Sequence, residues 1–429
     1  MQDYERIRDY LYSLKHQGSK YGIDRMRLLV QQLGQPQQKF PCIHVAGTNG
    51  KGSTCSMLEA IYRANGYKTG LYSSPHLIRQ GERVQVNRQI LNESEIVAYT
   101  ERLRPIADEL AAVDNENHPS FFEFMTAMAF LRFAEVKVDI ALIETGLGGR
   151  LDATNVVEPE LSIITSISLD HVEQLGNSLT AIASEKAGII KPGKPVIIGR
   201  LPAEAEAVIR QVAAERGCRV HSVVEHYPEL PQLPQTNLAG SFQRWNAAAA
   251  ELASELLSKR FPVDPSKCSN ALQSVQWPGR WQLLKLLQPK RTLILDATHN
   301  PEGAVYLAEN LKKLVEQSGQ KPIIIAGTLG EERGRKLMQT IAPYATELHL
   351  LAPQQSRATA TEFLADCLPP ERDFTVQHAE LQDLFPAVGQ CTVGAAGDTI
   401  LVTGSIYLIG EVLERLSYTT PLRQGMLQD

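Results

Sequence analysis

The sequence predicts an α/β protein of two domains: an N-terminal domain with a mostly parallel sheet around a glycine-rich phosphate loop, and a smaller C-terminal α/β domain. Three observations predict it. Short apolar runs alternate with helically spaced segments along most of the chain, and strands buried on both faces and separated by helices mark a parallel sheet. A Gly-Lys loop stands between the first such run and a helical segment, as a phosphate loop requires. The 429 residues exceed one ordinary domain, and Trp277-Pro278-Gly279-Arg280-Trp281 interrupts the pattern near a domain border.

Tyr4, Ile7, Leu11 and Leu14 repeat at helical spacing. A break over Gly18-Ser19-Lys20-Tyr21-Gly22 precedes a second helix from Asp24, its cap, to Leu33. Cys42 to Ala46 is the first strand, and Thr54 to Asn65 is a helix stopped by Gly66. Further strands are expected at 68–72, 138–143, 161–167 and 195–198. The segment from Tyr227 to Asn237, rich in Pro and Gln, reads as a loop, and the Ala-rich stretch from Trp245 to Leu257 as a helix. Beyond the interruption, strands at 292–295, 322–326, 348–351 and 399–402 alternate with helices at 302–317, 333–341 and 407–416. Neither repeats nor heptads are visible.

Apolar residues are 43% and charged residues 21%, a soluble globular balance. A net charge of -5 argues against a general nucleic-acid binder. The polar N-terminus lacks a signal-peptide core, and no apolar run approaches the roughly 20 residues of a membrane helix. Cys42, Cys55, Cys218, Cys268, Cys367 and Cys391 are scattered without a CxxC pair, so reduced thiols in a cytoplasmic protein are expected.

The loop Gly47-Thr48-Asn49-Gly50-Lys51-Gly52-Ser53 carries the chemistry. Its glycines permit positive φ and close backbone approach. Successive N–H groups and the positive end of the next helix then surround phosphate oxygens. Lys51 is placed to meet the β- and γ-phosphates, and Ser53 to reach Mg²⁺. The spacing departs from GxxxxGK[ST], because Gly52 separates Lys51 from Ser53. The competing reading is a plain glycine-rich turn.

The run His44-Val45-Ala46-Gly47-Thr48-Asn49-Gly50-Lys51-Gly52-Ser53-Thr54 closely resembles the ATP loop of the bifunctional dihydrofolate synthase/folylpolyglutamate synthase family, within the Mur ligase superfamily. Matches continue in the family's order at Tyr72-Ser73-Ser74-Pro75-His76-Leu77, at Glu144 to Asn155, and at Leu169-Asp170-His171. They resume at Glu185-Lys186-Ala187-Gly188-Ile189, Pro278-Gly279-Arg280 and Asp296-Ala297-Thr298-His299-Asn300-Pro301. The resemblance implies a P-loop ATPase domain over 1–285 and a Rossmann-like glutamate-ligase domain over 290–429. It implies Ser74, Glu144 and His171 as Mg²⁺ ligands, and Thr48, Asn49, Gly50, Lys51, Gly52, Ser53, Asn246, Arg280 and Asp296 as the ATP site. Lys51, Lys186 and His171 are the implied catalytic residues, with a carbamate on Lys186. Ser120-Phe121-Phe122-Glu123 and Asp152 match the folate side, and His299 is assigned to glutamate. Ser120 and Glu123 also read as a helix capping box. Two departures stand out: Asp296-Ala297-Thr298 where relatives often have Asp-Gly-Ala, and Phe242 where many have His.

The reaction implied is ATP-dependent ligation of L-glutamate to dihydropteroate and to reduced folates through an acyl phosphate. The partners expected are these small molecules alone, with no nucleic acid and no membrane, acting on a monomer. The alternatives are a peptidoglycan-precursor ligase of the same superfamily, a kinase and a nucleotide-controlled binding switch. The first is disfavoured because only 46 residues precede Gly47, too few for a further domain.

Overall fold

The computed structural model describes residues 2–16 and 22–417. It divides into two compact units, one of residues up to 237 together with 243–275, the other of 238–242 and the chain from 276 onward. The expected break at Gly18-Ser19-Lys20-Tyr21 lies outside the described residues.

The first unit is built on an eight-stranded sheet of order β4-β3-β2-β5-β1-β6-β7-β8. These strands are β1 (Cys42–Ala46), β2 (Thr69–Tyr72), β3 (Val84–Val86), β4 (Gln89–Ile90), β5 (Ile140–Glu144), β6 (Leu161–Ile164), β7 (Val196–Ile198) and β8 (Val220–Ser222). All neighbours pair parallel except β2 with β3 and β3 with β4. The central strands β1 and β5 are buried at every position, which explains their unbroken apolar runs. The hairpin of β3 and β4 was not legible, since three and two residues carry too little alternation.

One face of this sheet is covered by Gln2–His16, Asp24–Gln32, Glu93–Val113 and Phe121–Val136. Ile7, Leu11 and Leu14 of the first helix are buried, as their spacing requires. Phe121–Val136 is apolar nearly all round and buries Phe124, Phe130 and Phe133 completely, each worth about 1.5–3 kcal/mol of transfer. A separate cluster joins Ile164 and Ile198 to Ile182 and Ile209 of the helices Leu179–Ala187 and Ala203–Glu215.

The second unit holds a six-stranded sheet of order β13-β12-β11-β14-β10-β9. It comprises β9 (Gln282–Leu287), β10 (Lys290–Asp296), β11 (Ile323–Ala326), β12 (Glu347–Leu350), β13 (Thr375–His378) and β14 (Thr399–Thr403). Pairing is parallel throughout, save that β9 runs antiparallel to β10 from Lys290↔Leu287 to Leu295↔Gln282. The expected border at 285–290 spans the turn of this hairpin. Strand β9 hydrogen-bonds to β10 alone and lies in the second unit, whose main segment runs from Gln276 onward. No helix of the described residues is long and apolar enough to cross a membrane.

Candidate active site

The phosphate loop leaves the carboxyl end of β1 and enters the helix Lys51–Ala64 through Gly50, whose φ is +83°. A Cβ on Gly50 would lie 2.4 Å from Asn246 Oδ1. Only glycine combines that left-handed backbone with that proximity. Asn246, on the helix Ser241–Leu256, is itself steadied by a 3.0 Å bond from its amide to Gln243 Oε1. Gly52 and Ser53 are buried in the first turn of the loop's helix, where N–H groups lack helical partners.

A second segment grips the loop from the end of β6. Thr165 Oγ1 donates to Asn49 O at 2.6 Å, and Asn49 N–H donates to Ser166 Oγ at 2.9 Å. Thr48 N–H donates to Ser166 O at 2.8 Å, and Ser168 N–H donates to Thr48 Oγ1 at 3.0 Å. Sequence reasoning missed Thr165, Ser166 and Ser168. Their only signal was three hydroxyl residues trailing an apolar strand, which reads equally well as a turn.

Two lysines converge on one carbonyl oxygen. Lys51 Nζ donates to Gly47 O at 3.0 Å and to Thr48 O at 3.1 Å. Lys186 Nζ, from the helix Leu179–Ala187, donates to the same Gly47 O at 2.9 Å. Lys186 is buried, and burial together with the Lys51 charge pulls its ammonium down to about 7. Half the amine is then neutral near pH 7.

Glu144 ends β5 opposite Val45 of β1, and Ser74 follows β2 on the other side of β5. They meet directly, Ser74 N–H donating to Glu144 Oε2 at 3.2 Å. His171 comes from a different segment, an exposed turn after β6 with φ +52°, its N–H bonded to Asp170 Oδ1 at 2.9 Å. Magnesium takes oxygen donors, with one or two protein carboxylates beside phosphates and water. A buried carboxylate next to a serine at adjacent strand ends fits that donor set. The imidazole of His171 is the softer member.

Asp152 is buried at the start of the turn Ala153–Val156. Its Oδ2 accepts from Leu147 N–H at 2.8 Å, and its Oδ1 from Thr154 N–H at 3.0 Å and from the Thr154 hydroxyl. Burial raises its carboxyl pKa against these donors. Phe122 lies over Gly146 and beside the Tyr72 ring, 6.0 Å between centroids. Phe121 is buried with the Arg83 guanidinium 5.1 Å from its ring centre. Ser120 and Glu123 form the expected capping box, Glu123 Oε2 accepting from Ser120 N–H at 2.7 Å. Arg25 Nε lies 3.3 Å from the other oxygen of Glu123.

In the second unit, Arg280, Asp296 and His299 gather at the carboxyl end of β10. Arg280 Nη1 donates to Ala297 O at 3.2 Å, and His299 Nδ1 lies 2.8 Å from the same oxygen. Asp296 accepts from Trp281 N–H at 3.0 Å and from Thr298 Oγ1 at 2.6 Å. Phe242 lies tilted against Tyr306 in this unit, with ring centroids 4.6 Å apart.

The model of the Mur ligase middle domain matches residues 45–230, and that of the Mur ligase, glutamate ligase domain matches 279–406. A dihydrofolate synthase/folylpolyglutamate synthase of Bacillus subtilis is 34% identical, over 96% of this chain and 99% of its own. The chain belongs to the dihydrofolate synthase/folylpolyglutamate synthase family. It is an ATP-dependent amide-forming ligase. Escherichia coli FolC in complex with DHPP and ADP superposes with TM-score 0.79 at 30% identity, covering 96% of this chain and 98% of FolC. A bifunctional folylpolyglutamate synthase/dihydrofolate synthase with Mn, AMPPNP and L-glutamate bound also gives 0.79, at 29% identity, covering 96% and 98%. Lys186 of the Glu185-Lys186-Ala187-Gly188 run is a buried lysine facing the phosphate loop.

Proposed function

We propose that this enzyme joins L-glutamate to dihydropteroate and to reduced folates, using ATP and Mg²⁺. The observation that carries the reading is the convergence of Lys51 and Lys186 on Gly47 O, on the sheet whose strand ends also bear Glu144 and Ser74. Family membership supports the substrate class. The backbone of Thr48 to Ser53 cradles the phosphates of ATP, and Lys51 exchanges its loop carbonyls for phosphate oxygens. Asn246 borders the nucleotide at Gly50, and within the second unit Arg280 and Asp296 are the residues assigned to ATP. Ser74, Glu144 and His171 would hold Mg²⁺, which would supply charge neutralisation for phosphoryl transfer.

The acceptor carboxylate attacks the γ-phosphorus, ADP departs, and an acyl phosphate forms. The neutral amine of glutamate attacks the carbonyl carbon, loses a proton, and expels phosphate. Phosphoryl transfer of this kind depends on positioning and charge neutralisation more than on covalent help. Lys186 carries a carbamate in this reading. Its buried, half-neutral amine is nucleophilic toward CO₂ at neutral pH, and its place beside Lys51 gives the resulting anion a cation to face. Phe121, Phe122 and Asp152 bind the acceptor, with Ser120 and Glu123 fixing the helix end that presents the two rings. His299 meets the incoming glutamate. A cytoplasmic monomer with six free thiols completes the reading.

The test is ADP release with Mg²⁺, ATP and L-glutamate, with dihydropteroate or tetrahydrofolate as acceptor and products identified by mass. Glutamate-dependent turnover with both supports the bifunctional reading, and turnover with tetrahydrofolate alone restricts the enzyme to chain extension. Phosphorylated acceptor without glutamate dependence makes it a kinase.

A further inference from the structure

We infer that His44 is a positioning residue for the acceptor: through the Thr154 hydroxyl it orients the carboxylate of Asp152. The inference rests on the reading of Asp152 as an acceptor-site residue. His44 lies wholly buried in β1, its Nε2 2.8 Å from Thr154 Oγ1. Thr154 Oγ1 in turn donates to Asp152 Oδ1. Three residue types thus form one buried chain, imidazole to hydroxyl to carboxylate.

The proton directions follow from what each group is able to do. Both oxygens of Asp152 accept backbone N–H groups, from Thr154 and Leu147, which oppose the rise that burial causes. An ionised carboxylate only accepts, so the single hydroxyl proton of Thr154 points to Asp152. The hydroxyl oxygen then takes its own hydrogen bond from His44, which carries its proton on Nε2. Burial pushes the imidazole down to about 3, so it stays neutral at working pH. Its Nδ1 has no hydrogen-bond partner. A buried strand histidine ordinarily reads as a satisfied core residue. Here its one hydrogen bond goes to the side chain that orients an acid.

The strand involved gives the contact its purpose. β1 also launches the phosphate loop, with His44 three residues ahead of Gly47. The His44 contact therefore ties the acceptor's acid to the strand that sets the ATP loop. In-line attack needs the reacting atoms within about 3–3.5 Å, so a shared reference for the two substrates matters more than the contact's own energy.

The experiment measures KM for dihydropteroate, tetrahydrofolate and ATP, with melting temperatures, in His44→Leu, His44→Gln, Thr154→Val, Thr154→Ser and Asp152→Asn. Gln places an amide N–H near the position of Nε2, and Ser keeps the hydroxyl. Loss of the chain is expected to raise the acceptor KM about tenfold or more in His44→Leu and Thr154→Val. The ATP KM should hold, and His44→Gln and Thr154→Ser should recover most of the loss. Adding His44→Leu to Asp152→Asn should cost little further, as residues acting through one group do. If Asp152→Asn raises the acceptor KM but folded His44→Leu and Thr154→Val do not, the inference is wrong and the acceptor site stands. An unchanged acceptor KM in Asp152→Asn overturns the acceptor reading itself, and the inference with it. Equal rises for ATP and acceptor in His44→Leu and Thr154→Val make His44 merely structural. Should His44→Leu fail to fold, Thr154→Val, which removes one hydroxyl at constant shape, decides.

Discussion

Lys51 and Lys186 reach the same carbonyl oxygen from different helices, and substitution separates their roles. Lys51→Ala removes the charge that meets the phosphates, and turnover should fall at least a hundredfold with little change in melting temperature. Near-normal turnover would exclude the loop assignment. Lys186→Ala should lose most activity and recover part of it with millimolar short carboxylic acids, which stand in for the carbamate. Failure of every acid tried, in a folded protein, would count against the carbamate. The lysine also predicts a pH dependence of stability. Its folded value of about 7 lies below the ordinary 10.5. Between these values the unfolded chain binds the extra proton, so stability rises with pH across that window, by at most about 1.4 kcal/mol per pH unit. Denaturant titrations of the wild type and Lys186→Met in CO₂-free buffer check this, the variant being flatter over the same range. The motif pointed to Lys186, but its burial was not legible, because the phosphate loop it packs against lies 139 residues away in sequence.

At the scale of the element, the loop works because its two sides are held by different parts of the chain. Thr165, Ser166 and Ser168 bind Thr48 and Asn49 from beyond β6, while Asn246 closes on Gly50 from the helix Ser241–Leu256. Gly50→Ala would force a side chain into positive φ and a 2.4 Å approach to Asn246 Oδ1. The left-handed backbone alone costs about 1–2 kcal/mol. The expected result is an ATP KM raised about tenfold or more with a melting temperature lowered by only a few degrees. An unchanged ATP KM would show that this turn does not shape the nucleotide site. The glycines themselves were legible, since positive φ and close approach are local demands. Their partners were not, lying more than a hundred residues away in sequence.

For the whole molecule, the decisive feature is where the second unit begins. Strand β9 supplies the antiparallel edge of its sheet, and without it β10 presents an unpaired edge. A fragment of 276–417 is expected to show a single cooperative thermal transition and remain monodisperse. A fragment of 290–417 should melt lower or aggregate, and equal behaviour of the two would make β9 dispensable. The expected border at 285–290 follows from the interruption at Trp277-Pro278-Gly279-Arg280-Trp281, and the Gln288-Pro289 step falls inside it. That step is the turn of a hairpin.

The sequence by itself determined the α/β class and the glycine-rich loop between strand and helix, because these follow from local periodicity and glycine geometry, while the candidate site residues rest on the ordered motifs of the family. It also determined the Ser120 and Glu123 cap, whose chemistry spans three residues. Only the tertiary structure decided which residues hold the loop from outside, that Lys186 is buried, and that His44 and Asp152 share a hydroxyl between them. Each of those depends on strands and helices distant in sequence meeting in the sheet, and burial and hydrogen-bond direction exist only once they have met.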